Sequence, residues 1–450
     1  MSSYWKIAVP AAALALIPVA AAVRAASESD TYKQLDALMD VFETVRTAYV
    51  DKTDDKALIE GAISGMLASL DAHSNYLGTA EYKNFRQTMA GEYGGLGLSV
   101  SIEDGAVKVI APIDGTPGML AGIKAGDYIT HLDGELIYGS SLQEAVDRMR
   151  GEPGTRIKLT IVREGAVKPL QFDLKREVVK IRAVKYETRG NVGVIRIASF
   201  DNKADAEVRD AVKAIEAKFD GKTTGYIIDM RSNPGGSLDT ALRISDVFLE
   251  RGEIVSQRGR TKDTIKRYYA EAGDLTGGKP VIVLVDGGSA SAAEIVAGAL
   301  QDQRRGLVIG ERTFGKGSVQ TLLPLNDGAA LRLTTARYFT PSGRSVQENG
   351  IEPDIQVPQL SDATRADRPR LREADLRKHL INEIKDGTEK IVESDAKPDP
   401  RFIATPEELK KKGVIDFQLD YATRLLDRLA APAPVMTADA TPAGKPVAQK

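Results

Sequence analysis

The sequence contains no cysteine among its 450 residues. Thiol catalysis, disulfide bonds, thiolate metal sites and a lipid-modified N-terminal cysteine are therefore excluded. Histidine is scarce as well, because only His73, His131 and His379 are present, each in a different region of the chain. A covalent nucleophile must then be a hydroxyl, a lysine or a carboxylate.

The chain also lacks a marked excess of charge of either sign. It has 61 Lys and Arg residues against 63 Asp and Glu residues, which gives a formal net charge of -2. Its basic clusters are short and interleaved with acids, so nucleic acid is not expected as a partner. No metal or nucleotide motif is present, and we expect neither a metal nor another cofactor.

The first 26 residues have the pattern of an export signal. Lys6 supplies a positive start, an apolar run covers residues 7–23, and small residues follow at a cleavage site around Ala25. The run is close to the length that spans a bilayer, so an uncleaved membrane anchor is the alternative. In both cases we expect the remainder of the chain to lie outside the cytoplasm.

The hydrophobic pattern divides the remainder into regions of different character. Apolar residues at helical spacing come first, short β-rich runs broken by glycine follow, and then strands and helices alternate. That alternation favours an α/β domain with a partly parallel sheet. The predicted regions are, in order, an N-terminal helical region (27–90), a β-rich binding module (91–178), an α/β domain (179–358), a C-terminal helical region (359–430) and a disordered tail rich in Ala and Pro (431–450).

A candidate nucleophile follows the predicted strand 281–285, in the stretch GGSASAAEI at 287–295. A serine at a strand-to-helix junction points its hydroxyl out of the sheet edge, and the next amide lies at the helix N-terminus, which stabilises negative charge. Ser291 to Glu294 also match the S-x-x-E capping box, which would make Ser291 purely structural. This stretch alone leaves both interpretations open.

A serine nucleophile needs a base, and none of the three histidines lies in the predicted α/β domain. A desolvated lysine is the alternative. Lowering its pKa from about 10.4 to neutrality requires a shift of about 3.4 units, or roughly 4.6 kcal/mol, which burial can supply. Lys316, in the glycine-flanked loop TFGKGS at 313–318, is the candidate, although a lone loop lysine is usually a solvated surface charge.

Two glycine-rich loops offer free amides. Gly235 and Gly236 end the stretch RSNPGG before a predicted helix, and their amides could bind an oxyanion together with that of Ala292. Gly95, Leu96, Gly97 and Leu98 precede a strand of the β-rich module, where they could bind the terminal carboxylate of a peptide that pairs with the strand. An ordinary turn is the alternative interpretation of each loop.

Taken together, these stretches resemble the C-terminal processing peptidases, also called tail-specific proteases, from about residue 36 to residue 357. Each stretch is weak by itself, and the order in which they occur makes the resemblance specific. The matching stretches are SLDAHSNY (69–76), GGLGL (94–98), AGIKAGD (121–127), RSNPGG (231–236), SASAAEI (289–295), FGKGSVQ (314–320) and TPSGR (340–344).

The resemblance implies a role for each candidate residue. Ser291 is then the nucleophile, Lys316 the general base, and Gln320 orients the lysine. Amides of Gly235 or Gly236 and of Ala292 form the oxyanion hole, and residues 95–98 bind the substrate tail. Asp302 has a supporting role and His73 a structural one. The implied fold is a crotonase/ClpP-like α/β protease core with an inserted PDZ domain and helical regions at both ends.

The resemblance also implies the biological setting. Substrates are then proteins with exposed nonpolar C-termini, peptidoglycan hydrolases among them, and the location is the periplasm, with an anchored form on the inner membrane. An adaptor lipoprotein and a homo-oligomeric assembly are further expectations, as is a PDZ domain that gates the active site. Two alternatives remain at this point: a catalytically inactive PDZ scaffold, and an acyl-CoA enzyme that shares the crotonase core.

Overall fold

The computed structural model describes residues 16–103, 105–113, 115–139, 141–180, 182–362, 371–382 and 401–430. The first 15 residues of the expected export signal and the whole expected disordered tail, 431–450, lie outside the described residues. Within the described part of the chain, no helix is long and apolar enough to cross a membrane. The chain divides into two compact units, 1–70 and 71–450.

The first unit is helical, as the apolar spacing predicts. Its helices are α1 (Leu16–Ala48) and α2 (Asp55–Ala68). Asp54 caps α2, since its side chain accepts a hydrogen bond from the Ala57 amide at 3.1 Å, as acidic residues at this position commonly do.

The second unit begins with β1 (Asn75–Leu77) and α3 (Thr79–Met89) and continues into the β-rich module. The main sheet of the module has the strand order β3-β4-β5-β7-β8, so β3 lies at its edge. The elements of the module are β2 (Glu92–Gly95), β3 (Leu98–Glu103), β4 (Ala106–Pro112), α4 (Pro117–Leu120), β5 (Tyr128–Leu132), β6 (Glu135–Leu136), α5 (Leu142–Met149), β7 (Arg156–Val162), β8 (Leu170–Lys175) and β9 (Glu177–Lys180).

The two chain crossings between the module and the rest of the unit run side by side. Strand β2 leads into the module and β9 leads out, and they pair antiparallel from Glu92 with Lys180 to Gly95 with Glu177. The module is therefore an insertion that is joined to the remainder of the unit by a two-stranded ribbon.

The α/β domain is built on a six-stranded sheet of order β10-β11-β12-β15-β16-β19. All of these strands are parallel to their neighbours except β10. A second, antiparallel sheet joins β1, β18, β13 and β14, with β17 also on β18. The elements are β10 (Val184–Arg189), β11 (Val192–Ile197), α6 (Ala204–Lys218), β12 (Gly225–Asp229), α7 (Leu238–Phe248), β13 (Gly252–Gly259), β14 (Lys266–Ala270), β15 (Val281–Val285), α8 (Ala292–Asp302), β16 (Gly306–Gly310), β17 (Ser318–Pro324), β18 (Ala330–Phe339), β19 (Ile355–Gln356), α9 (Pro406–Lys411) and α10 (Phe417–Ala430).

Helices cover both faces of the parallel sheet, which explains why its central strands are continuously apolar. On β15, Val283 packs with α6, α7 and α8, whereas Ile282 and Leu284 face the C-terminal residues. Phe417 and Leu426 of α10 belong to that second cluster. The apolar residues of α10 therefore complete the core of this domain.

Candidate active site

Ser291 lies where β15 turns into α8, in a strained backbone conformation. Its φ of 54° and ψ of -110° fall outside the regions that L-residues readily adopt. The side chain is only 7% exposed. The amide of Glu294 donates to the Ser291 carbonyl oxygen at 2.9 Å, and the Ser291 hydroxyl makes no capping hydrogen bond. The hydroxyl is therefore not used to cap the helix.

The neighbouring Ser289 is committed to the turn. It is fully buried, and its hydroxyl donates to the Met230 carbonyl oxygen at 2.8 Å while accepting from the Asp286 amide at 2.9 Å. That hydroxyl uses both its donor and its acceptor in hydrogen bonds with the main chain, so Ser291 is the better placed of the two to react.

Tyr338 is a site residue that the sequence analysis missed. Burial raises the pKa of its phenol to about 12, and the nearby Ser291 side chain opposes this shift. Its amide donates to the Gly317 carbonyl oxygen at 2.7 Å, so one residue of β18 contacts both the serine and the lysine loop. Only its position two residues before the TPSGR stretch could have drawn attention to it.

The loop that carries Lys316 is held by three consecutive amides. Those of Gly315 and Lys316 donate to Oε1 and Oε2 of Glu294, at 2.7 and 3.0 Å. The amide of Gly317 donates to Oε1 of Gln347 at 3.0 Å. Glu294 also accepts from the Ser291 amide at 2.7 Å, so a single carboxylate joins the serine turn to the lysine loop. The sequence suggested Glu294 only as half of a capping box.

The amine of Lys316 lies in a largely desolvated environment. Burial lowers the pKa of its amine, and the neighbouring Arg332 guanidinium acts in the same direction. The carboxylates of Glu373, Glu294 and Asp71 oppose this shift. Among the described residues, none forms a hydrogen bond with the amine, which leaves it able to accept a proton.

Gln320 does not contact Lys316 through a hydrogen bond in this structure. Its side-chain amide donates to the Ser318 hydroxyl at 2.8 Å and, more weakly, to the Thr334 hydroxyl at 3.4 Å. The strand is irregular here, since the register of β17 against β18 shifts between Val319 and Gln320. The structure thus brings Gln320 into the same region as the lysine loop, with its side-chain NH₂ group bonded to Ser318 and Thr334.

The glycine loop at 235–236 lies against the serine turn. A Cβ on Gly235 would stand 2.9 Å from Ser291 Cβ and 3.0 Å from the Ala292 nitrogen, so only glycine fits there. The Gly235 amide is already engaged, because it donates to Asn233 Oδ1 at 2.8 Å. The amides of Gly236 and Ala292 have no acceptor in the part of the chain that the structure describes.

The predicted tail-binding loop lies beside the edge strand β3. The carbonyl oxygens of Leu96 and Gly97 accept from the amides of Gly118 and Ile113, each at 2.8 Å. Gly97 has a φ of 68°, and a Cβ there would stand 2.2 Å from the Thr116 side chain. These contacts fix the loop, and Leu98 begins a strand whose outer side is unpaired within the sheet.

Asp302 and His73, the two remaining residues named from the sequence, form side-chain contacts within the fold. Asp302 accepts from the Ser342 amide at 2.9 Å and forms an ion pair with Arg344, which fixes the turn in the TPSGR stretch. His73 contacts both carboxylate oxygens of Glu373 at 2.9 Å. No sequence pattern pointed to Glu373, since it lies in a charged segment beyond the matched stretches.

Comparison with known proteins identifies three segments of the chain. The profile of peptidase family S41 matches residues 191–357, that of the PDZ domain matches 108–163, and that of the N-terminal domain of the activating protease CtpB matches 11–80. The first two matches fall within the predicted α/β domain and the predicted β-rich module.

Individual relatives extend these matches over most of the chain. The carboxy-terminal-processing protease of Bartonella bacilliformis is 50% identical over 367 residues, covering 81% of this chain and 85% of the relative. The carboxy-terminal processing protease CtpA of Bacillus subtilis is 36% identical, covering 74% of this chain and 71% of the relative. Among solved structures, a photosystem II D1 C-terminal processing protease is 30% identical, with a TM-score of 0.45 over 71% of this chain and 92% of that one.

Proposed function

Because the chain belongs to the carboxy-terminal-processing serine proteases of peptidase family S41, we propose that it cleaves its substrates with Ser291 as nucleophile and Lys316 as base, and that its PDZ domain selects nonpolar C-terminal tails. The observation that carries the proposal is the sharing of Glu294 by the serine turn and the lysine loop. The two segments of the sequence that carry the proposed reactive side chains are thereby held together.

In the proposed reaction, the Ser291 hydroxyl attacks the carbonyl carbon of the scissile peptide bond while the neutral Lys316 amine takes the hydroxyl proton. The lysine then returns this proton to the leaving amine as the C–N bond breaks, which leaves an acyl ester on the serine. Water, activated by the same amine, hydrolyses the ester and restores both residues. The base must be neutral for the first step, and its burial supports that state.

The oxyanion of the tetrahedral intermediate is bound by the amides of Gly236 and Ala292 in this proposal. Ala292 is the first residue of α8, so its amide also carries the positive end of the helix dipole. Gly235 contributes by allowing the glycine loop to approach the serine closely. Donors of this kind stabilise the charge that develops in the transition state.

Gln320 takes its role in the tail-bound form. It would give up its bonds with Ser318 and Thr334, and its side-chain oxygen would accept a hydrogen bond from the Lys316 amine, which would fix the base toward the serine. A ligand produces such a change when it binds one of two conformations more tightly. The PDZ domain can transmit this preference, since the β2–β9 ribbon joins it to the protease core.

The tail of the substrate pairs with β3 in the proposal. An edge strand offers unpaired main-chain groups to an extended peptide. Residues 95–97 lead into this strand, which Leu98 begins, and the amides of residues 95–98 would hold the terminal carboxylate. Nonpolar final side chains would then pack toward α5, whose residues Ala145 and Met149 belong to the core of the module.

The setting of the reaction is part of the proposal. The apolar run near the N-terminus supports export, and the periplasm, with an inner-membrane association for an uncleaved chain, is the corresponding location. Peptidoglycan hydrolases with exposed nonpolar C-termini are the proposed substrates in that compartment. An adaptor lipoprotein and a second copy of the chain are the proposed partners.

The test is cleavage of an unstructured protein with a free nonpolar C-terminus, by the chain without residues 1–26. Matched controls are S291A, K316R and a substrate whose tail ends in an amide instead of a carboxylate. We expect cleavage by the unmutated protein alone and a higher KM for the amidated tail. Substantial turnover by K316R, whose side chain stays charged, would remove Lys316 from the mechanism. An unchanged KM for the amidated tail would remove the carboxylate site at 95–98.

A further inference from the structure

The short segment 371–382 lies directly against the lysine loop. The amide of Glu373 donates to the Phe314 carbonyl oxygen at 3.1 Å. Further along the segment, the Leu380 carbonyl oxygen accepts from the Gln347 side chain at 2.8 Å. A part of the chain that follows the α/β domain therefore reaches the loop that presents Lys316.

Two pairs of histidine and carboxylate anchor this segment. Nε2 of His73 lies 2.9 Å from both oxygens of Glu373, whose side chain is fully buried. Nε2 of His379 lies 2.9 Å from Oε1 of Glu348, and the Glu348 amide donates to the Gly315 carbonyl oxygen at 2.9 Å. Two of the three histidines in the chain are thus used around the lysine loop.

Glu373 is connected to the loop through Gln347, which is also fully buried. Oε1 of Glu373 accepts from Nε2 of Gln347 at 3.1 Å, and Oε1 of Gln347 accepts from the Gly317 amide at 3.0 Å. A glutamine side chain has one donor end and one acceptor end. The carboxylate therefore fixes which end of Gln347 faces the loop, because it can bind only the donor end.

We propose that Glu373 is a positioning residue for the catalytic base: it orients Gln347 to hold the lysine loop, and it places a buried carboxylate against that loop. The proposal rests on the role of Lys316 proposed above. Glu294 holds the loop on one side and Gln347 on the other, so the loop has two separate side-chain supports.

The charges around Lys316 predict the direction in which its pKa should change when Glu373 is neutralised. After burial, the Arg332 guanidinium lowers the pKa of the amine, whereas the carboxylates of Glu373, Glu294 and Asp71 raise it. His73 and Gln347 are the side chains that contact Glu373 itself. Neutralising Glu373 should lower the pKa of Lys316 and keep the base free at lower pH.

The experiment measures kcat/KM against pH for the full enzyme and the variants E373Q, E373D and E348Q. We expect the midpoint of the acidic limb to move about one pH unit lower in E373Q, as is typical when a nearby charge is removed. It should stay in place in E373D, which keeps the charge. It should also stay in place in E348Q, which weakens the other anchor of the same segment.

Two results would overturn the proposal: an unmoved midpoint in E373Q, or an equal displacement in E348Q, which would reflect loosening of the segment. If circular dichroism shows that E373Q does not fold, the Q347M variant tests the positioning role instead. It breaks the bridge to Gly317 without changing a charge, so kcat should fall while the midpoint stays. Full kcat in Q347M would contradict the positioning role.

The same data separate this inference from the proposed function. A wild-type profile without an acidic limb, or cleavage by K316R, would count against Lys316 as the base. A normal wild-type limb with an unmoved E373Q midpoint would leave the base in place and remove only the role of Glu373.

Discussion

The main-chain amides of Ser291 and Lys316 donate to the same oxygen atom, Oε2 of Glu294, at 2.7 and 3.0 Å. The other oxygen accepts from the Thr313 hydroxyl at 2.6 Å and the Gly315 amide at 2.7 Å. Backbone strain such as that at Ser291 costs about 1–3 kcal/mol and persists only when surrounding contacts enforce it. Glu294 supplies such contacts and places the lysine loop at the same time.

The first prediction concerns catalysis by E294Q. Glutamine keeps the shape of the side chain, but one oxygen becomes an NH₂ group that faces two donors. We expect kcat to fall by about tenfold to a hundredfold, the scale of a small misplacement of reacting groups, with a smaller change in KM. E352Q is the control, because Glu352 is half-exposed and pairs with Arg312. Steady-state kinetics with normal circular dichroism would test this, and an unchanged kcat in E294Q would contradict it.

The second prediction concerns stability against pH. Burial outweighs four hydrogen bonds and raises the pKa of Glu294 from 4.5 to about 7. The folded state then binds the proton more tightly than the unfolded chain, so this contribution to stability is complete below about pH 4.5 and is lost as the pH rises through about 7. Relative to E294Q, the free energy of unfolding of the wild-type protein should fall by roughly 3 kcal/mol over that interval.

Urea unfolding at several pH values, in an S291A background that prevents self-cleavage, measures this difference. Parallel stability curves for the S291A protein and the S291A/E294Q protein would show that Glu294 does not take up a proton in this range.

The sequence predicted those elements that are buried along their whole length. The strand Val281–Val285 is an uninterrupted apolar run, so its bounds were evident. The antiparallel sheet was missed, because its strands mix exposed and buried positions. Strand β18 even carries Arg332 and Arg337 among its apolar residues, and a charged residue in a partly buried strand hides the alternating pattern.

The residues of the site were predictable only as separate motifs. Ser291 and Lys316 could be named from their stretches, whereas the carboxylate that joins them looked like a helix cap. His73 and Glu373 are 300 positions apart, and no local pattern relates such residues. Gln320 shows the opposite case, since its motif predicts a contact with the lysine that this structure does not contain. Contacts of this kind depend on tertiary packing and not on local spacing.

The third prediction concerns Arg332 and has the opposite sign to that for Glu373. The guanidinium is half-buried, and it lowers the pKa of Lys316 in addition to the effect of burial. R332Q removes this positive charge, so the Lys316 pKa should rise and the acidic limb of kcat/KM should move about one unit to higher pH. R332K keeps the charge and should keep the wild-type midpoint. A shift to lower pH in R332Q would show that its charge does not act on the base.

The last prediction concerns the attachment of the C-terminal region to the glycine loop. Arg231, at the start of that loop, donates to both carboxylate oxygens of Asp416, at 2.9 and 2.7 Å. Burial disfavours the charge on Asp416, but the bonds from Arg231 outweigh it and lower the pKa to about 2. A depressed pKa contributes stability above the unfolded value of about 3.8, and that stability is lost as the pH falls through about 2.

D416N should therefore lower the free energy of unfolding by about 2 kcal/mol at neutral pH, and its difference from wild type should shrink in acid. D420N is the matched control on α10, because Asp420 pairs with the exposed Arg424 and such pairs contribute less than about 1 kcal/mol. Urea unfolding of both variants in the S291A background measures the effect. Equal stabilities of D416N and D420N would mean that the ion pair with Arg231 does not hold the C-terminal region in place. A loss confined to D416N, accompanied by a lower kcat in the active enzyme, would show that this region supports the loop that carries Gly236.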